Sequence, residues 1–126
     1  MIIGTDTNRT TDYGGIKLGY NDGSGNQRVL FSTSGTSWNS SNVLFGKNLQ
    51  DQWVHRAFVA HGALCYCYEN GKISNITTRP TWGFYSDNRI HIGCGGIHGS
   101  IPYLAFWKGA KWTTDFTPKK EYFANE

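Results

Sequence analysis

Two carboxylates a few ångströms apart are what glycoside hydrolysis needs, and the acidic residues of this chain do not supply them. There are three glutamates, Glu69, Glu121 and Glu126, the last two in the C-terminal tail, and six aspartates that stand singly and mostly in turn-forming stretches. Nucleophilic catalysis fares no better: no G-x-S-x-G turn occurs and the serines cluster in loop-like segments. Cys65, Cys67 and Cys94 could in principle join a histidine around zinc, but C-x-C spacing on a strand does not form the usual chelating knuckle. Cys65 and Cys67 project to one face of a strand, where cysteine serves as a small hydrophobe, and an odd count of three predicts reduced thiols rather than a disulfide framework. The expectation is a protein that is not an enzyme, with no metal ligands.

Binding chemistry is better represented. Sugars offer apolar C–H faces to aromatic rings and hydroxyls to Asn, Asp and His. Trp82, Tyr85, Asp87 and Asn88 share one segment, and Trp38 and His98 lie in loops that could reach the same rim, so these six are the candidate carbohydrate-binding residues. The competing explanation is that Trp82 and Phe84 cap a core while Asp87-Asn88 turns the chain. Trp38, in a Ser/Thr/Asn/Gly stretch, is either a lid over the core or an exposed stacking surface. His55 and His91 are expected on a solvated sheet face, and His61 in a hairpin turn.

The elements that must carry these loops read as strands. Residues 53–71, WVHRAFVAHGALCYCYENG, form two apolar runs joined at His61-Gly62 and closed at Asn70-Gly71, a dipeptide suited to tight hairpins. A second hairpin is predicted from residues 16–20 and 28–32 around the turn-forming residues 21–26, with further strands at 2–3, 43–45 and 90–94. Residues 72–78 read as a strand or extended loop. Ile90, Ile92 and Cys94 would face the core, and a last strand would cover residues 100–107, with its proline at an edge or strand start. Sixteen glycines, three prolines and nineteen aromatic residues, with no helical periodicity, predict an all-β chain, and 126 residues make one domain. The net charge of +3 is mild and the cations are scattered apart from Lys119-Lys120, so no nucleic-acid partner is expected. No run reaches the length of a membrane span, and MIIGTDTNRT lacks the pattern of a secretion signal, so neither a membrane nor export by that route is expected.

These segments, in this order, resemble the concanavalin A-like lectin/glucanase superfamily, in particular the laminin G-like jelly-roll domains of bacterial surface and phage proteins. The resemblance rests on Gln52-Trp53-Val54-His55, on Leu64-Cys65-Tyr66-Cys67-Tyr68-Glu69-Asn70-Gly71-Lys72 for L-x-L-Y-x-[ND]-G-K, and on Ile90-His91-Ile92-Gly93 for I-x-I-G. It continues through Trp107-Lys108-Gly109-Ala110 and Asp115-Phe116-Thr117-Pro118, covering about residues 16–118. The resemblance implies an antiparallel β-sandwich with jelly-roll topology, trimmed at its N-terminus, serving as a non-catalytic carbohydrate-binding or adhesion module; a structural self-assembly domain is the alternative. The E-x-D-x-E strand of the superfamily's glucanases is absent, and Ile101-Pro102-Tyr103 replaces the family's acidic I-D-E or I-D-D. Some laminin G-like domains bind calcium, but clustered acidic residues are few here and no cofactor is expected. The sequence starts partway into the family's pattern of N-terminal strands, so the resemblance implies either a trimmed fold or a strand supplied by a partner, and an unpaired edge of this kind would suit a homodimer through sheet edges. Virion association is one expectation that the phage-type resemblance carries.

Overall fold

A computed structural model describes residues 3–4, 15–32, 37, 40–47, 49, 51–80, 91–92, 100–101 and 103–119. Eight strands are present among them: β1 (Ile3–Gly4), β2 (Ile16–Asn21), β3 (Asn26–Phe31), β4 (Ser40–Lys47), β5 (Arg56–His61), β6 (Leu64–Glu69), β7 (Lys72–Thr78) and β8 (His91–Ile92). There is no helix among the described residues. The strands form two antiparallel sheets, one of five strands in the order β4-β3-β2-β1-β8 and one of three in the order β5-β6-β7. Each sheet is a meander of sequential neighbours, and β8 returns to lie beside β1.

Alternation along the strands decides which side chains meet between the sheets. In the larger sheet Ile16 lies opposite Phe31, and Leu18 opposite Val29, which in turn faces Val43. Residues directly opposite on antiparallel strands share a face, so these side chains form one apolar surface. The smaller sheet contributes Phe58 and Cys67, also cross-strand partners. Val29, Phe31, Phe45 and Cys67 are buried at the centre, with Ile16, Leu18, Val43 and Phe58 packed around them. The Phe31 and Phe58 rings meet across the layers at 5.9 Å. The two sheets therefore form a β-sandwich with one shared core. Cys65 and Cys67 are fully buried with free thiols, and burial pushes the Cys67 thiol up to about 12, so both occupy the place of small hydrophobes.

Polar groups join the layers along β4. A bulge leaves Phe45 without a partner on β3, and its carbonyl turns toward the smaller sheet, where it accepts hydrogen bonds from Ser74 Oγ at 3.0 Å and the Arg56 guanidinium at 3.3 Å. Ser74 is itself the extra residue of a β6–β7 bulge, and its hydroxyl also reaches the Cys67 carbonyl at 3.0 Å. Arg56 donates to the Lys47 carbonyl as well and pairs with Glu69, whose carboxylate accepts the Lys47 amide at 3.1 Å. The outer edge of β4, which would otherwise offer unpaired backbone groups to another strand, is thus occupied at its C-terminal end by side chains of the second sheet. Gly46 makes this approach feasible, since a Cβ there would lie 1.5 Å from the Arg56 guanidinium.

Three expectations need correction. Residues 100, 101 and 103–107 adopt no strand; the aromatic run that suggested one is irregular and largely exposed instead. Ile92 is 51% exposed rather than part of the core, because β8 is a two-residue strand at the sheet margin, where a second layer need not cover it. Trp53, Val54 and His55 precede β5 rather than forming it, with Asp51 at a φ of 56° immediately before them.

Candidate functional site

The face of the smaller sheet turned away from the core is apolar, and cross-strand register shows why. Val59, Tyr66 and Ile76 stand side by side on it, as do Ala57, Tyr68 and Ile73 one step along. A solvated outer face would carry polar residues at these positions. Here Tyr68 is fully buried, and its cover is the C-terminal segment.

Residues 112–116 lie across the sheet with Trp112 and Phe116 stacked on each other, centroids 3.8 Å apart and planes 4° from parallel. Both rings meet Tyr68 edge-on, Phe116 at 5.2 Å and Trp112 at 6.4 Å. Both also meet His55, at 5.5 and 6.1 Å. Three polar ties hold the strap: the Phe116 amide donates to the Gly71 carbonyl at 2.8 Å, the Ile73 amide donates to Asp115 Oδ1 at 2.9 Å, and Lys72 pairs with Asp115 at 3.2 Å. The bond from Ile73, followed by that from Lys72, holds the Asp115 carboxyl below the usual range. It also closes part of the free edge of β7. A shallow groove of about 230 Å³ runs along this seam between Asn70, Lys72 and residues 115–118; its charged groups are already engaged with each other.

His55 therefore departs from the solvated position expected of it. It is partly buried, and burial lowers its pKa. With the folded value below the unfolded value of about 6.5, the unfolded chain binds the proton first, so stability falls as pH drops through that value and below. Thermal melts are expected to show the transition falling by a few degrees between about pH 7 and pH 5, with a weaker dependence in His55→Gln. Equal slopes in the two proteins would contradict this assignment.

Beyond Trp112 the strap surfaces. Lys108-Gly109 turns the chain so that Trp107 comes back against Trp112, centroids 5.6 Å apart and planes 72°. Lys111 Nζ sits 3.8 Å from the Trp107 centroid and 5.0 Å from that of Trp112. Trp107 is 44% exposed, Phe106 65%, and Tyr103 and Leu104 are exposed beside them in sequence. The result is a stacked, half-buried aromatic pair resting on Tyr68 and carrying an exposed indole and a cation. It can offer a flat apolar face to a ligand, and it holds no group placed for acid, base or nucleophilic chemistry. Among the described residues no cluster of three His, Cys, Asp or Glu could hold a metal ion.

Trp82, Tyr85, Asp87, Asn88, Trp38 and His98, the residues singled out from sequence, all lie outside the described residues. Sequence reasoning missed Trp107, Lys111, Trp112 and Phe116: it placed Trp107 in a last strand and gave none of the four a binding role. The available signal was W-K-G-A-K-W, two tryptophans flanking a lysine-glycine turn. No family model, curated protein or solved structure gives a significant match to the chain.

Proposed function

We propose that this protein is a non-catalytic binding module, a carbohydrate-recognition or adhesion domain of the laminin G-like, phage or bacterial surface type, its β-sandwich a variant of the jelly roll. The observation that carries the reading is Trp107, an exposed indole held in place by Trp112, which is half-buried and stacked on Phe116. A ring fixed before binding loses little freedom when it stacks on a sugar, which makes it an effective contact. The 81–88 segment, with Trp82 and Tyr85, supplies a second group of residues of the same chemistry. On a glycan array, wild-type protein is expected to bind, and Trp107→Ala to bind roughly threefold to tenfold more weakly while remaining folded by circular dichroism. Trp82→Ala measures the part played by the 81–88 segment. Wild-type protein that binds no glycan would remove this reading.

Self-assembly is the second reading, and β5 favours it. The β4 edge is occupied by Arg56 and Ser74 and the β7 edge by Asp115, whereas no hydrogen bond among the described residues closes the outer edge of β5. Pairing β5 with its copy in a second molecule would continue the smaller sheet into a homodimer. Light scattering coupled to size exclusion that gives a strict monomer at high concentration would end it.

A further inference from the structure

We propose that the 107–112 loop is a site for acidic saccharides, with Trp107 stacking on the sugar ring and Lys111 holding its carboxylate or sulfate. This deepens the carbohydrate reading above and rests on it. The loop converges because Trp107 and Trp112, five residues apart, close against each other at 5.6 Å, and Lys111 rides on both rings. An exposed ammonium over an indole is a weak contact. A charge-assisted bond from the same ammonium to an anion is roughly twice as strong as a neutral hydrogen bond, so Lys111 has a better partner available than the ring on which it rests. The ring it leaves then presents its face to the sugar.

The surrounding charges favour an anion. Lys108 is exposed at the tip of the turn. The nearest carboxylate in sequence, Asp115, is committed to Lys72 and the Ile73 amide, so the loop carries net positive charge. Stacking next to a cation would also suit a nucleobase, but binding single-stranded nucleic acid takes a basic groove that tracks successive phosphates. No arginine stands in the 107–112 loop itself, where the two cations are Lys108 and Lys111. One exposed indole with two nearby ammonium groups, Lys108 and Lys111, matches a single acidic sugar unit better than a phosphate backbone.

The experiment titrates the protein with uronate, sialylated and sulfated oligosaccharides, each beside its neutral counterpart: methyl ester, asialo form or desulfated form. At least one acidic form is expected to bind about tenfold or more tightly than its neutral counterpart, with affinity falling as salt is added. Lys111→Gln is expected to erase that preference while keeping the residual neutral affinity, and Trp107→Ala to weaken both forms. Equal affinity for acidic and neutral forms, unchanged in Lys111→Gln, would overturn the inference and leave the carbohydrate reading standing. Absence of binding to either form, together with an empty glycan array, would overturn both. Oligothymidylate binding more tightly than every saccharide would assign the loop to single-stranded nucleic acid and overturn the inference as well.

Discussion

Arg56→Ala is expected to destabilise the protein by about 3 kcal/mol and to lower the thermal midpoint by roughly 10 °C. The guanidinium side chain is only 10% exposed and serves three acceptors: Glu69 and the carbonyls of Phe45 and Lys47. Removing it leaves a partly buried carboxylate uncompensated, the Lys47 carbonyl without its side-chain donor and the Phe45 carbonyl with Ser74 alone, and breaking one side of such a pair costs far more than the pair contributes over an apolar replacement. Arg56→Lys keeps the charge but not the planar fork that spans three acceptors, so it is expected to recover less than half of the loss. The double replacement Arg56→Met with Glu69→Met removes both charges and is expected to be milder than Arg56→Ala. Urea and thermal melts of the four proteins decide the matter; an alanine variant within about 0.5 kcal/mol of wild type would show that solvent screens the pair.

Gly71→Ala is expected to lift the strap from the sheet, at a cost of about 3 kcal/mol combining backbone strain with loss of the cover over Tyr68. Gly71 has a φ of +78°, and a Cβ there would lie 2.0 Å from the Phe116 carbonyl oxygen and 2.7 Å from Pro118. No rotamer relieves a clash with backbone, so the Phe116 amide loses its bond to Gly71 and Trp112 and Phe116 separate from Tyr68. Gly23→Ala makes the comparison clean, since its φ of +77° is the same and nothing lies within 4 Å; only the conformational cost of about 1 to 2 kcal/mol applies there. Trypsin is expected to cut after Lys111 and Lys119 much faster in Gly71→Ala than in Gly23→Ala or wild type, with the β-sheet circular dichroism retained. Equal cleavage rates in the two glycine variants would mean that the strap is not held at this point.

Much of the sandwich was legible because its signals are local. Asn70-Gly71 and the alternation of Cys65 and Cys67 with Tyr66 and Tyr68 marked the β5–β6 hairpin to within a few residues, residues 72–78 read as either strand or extended loop, and Ile16, Leu18 and Val29 marked the other sheet in the same way. Periodicity says which residues share a face but not which of two faces becomes the core. Tyr66 and Tyr68 could equally have been solvated, and only the docking of residues 112–116 makes Tyr68 interior. That docking depends on contacts across more than forty residues and on an aromatic segment with no regular backbone, so nothing in a short window announces it. The run 103–107 misled for the same reason: its aromatics satisfied a strand pattern, while Trp107 packs on Trp112 and Phe106 faces solvent. His55 follows from this, since it precedes β5 and its surroundings are set by the strap.

The strap has a consequence for how the protein is made. Ile73 is synthesised 42 residues before Asp115, which caps its amide, and at roughly 5 to 20 residues per second that interval lasts about two to eight seconds. Hairpins form in microseconds, so the smaller sheet can be complete on the ribosome while Tyr68 and Ile73 still face solvent as an uncovered greasy plate. Nascent chains crowded on one messenger would meet through that plate, and a chaperone that binds aromatic surface would find it in the same few seconds before the chain supplies its own lid.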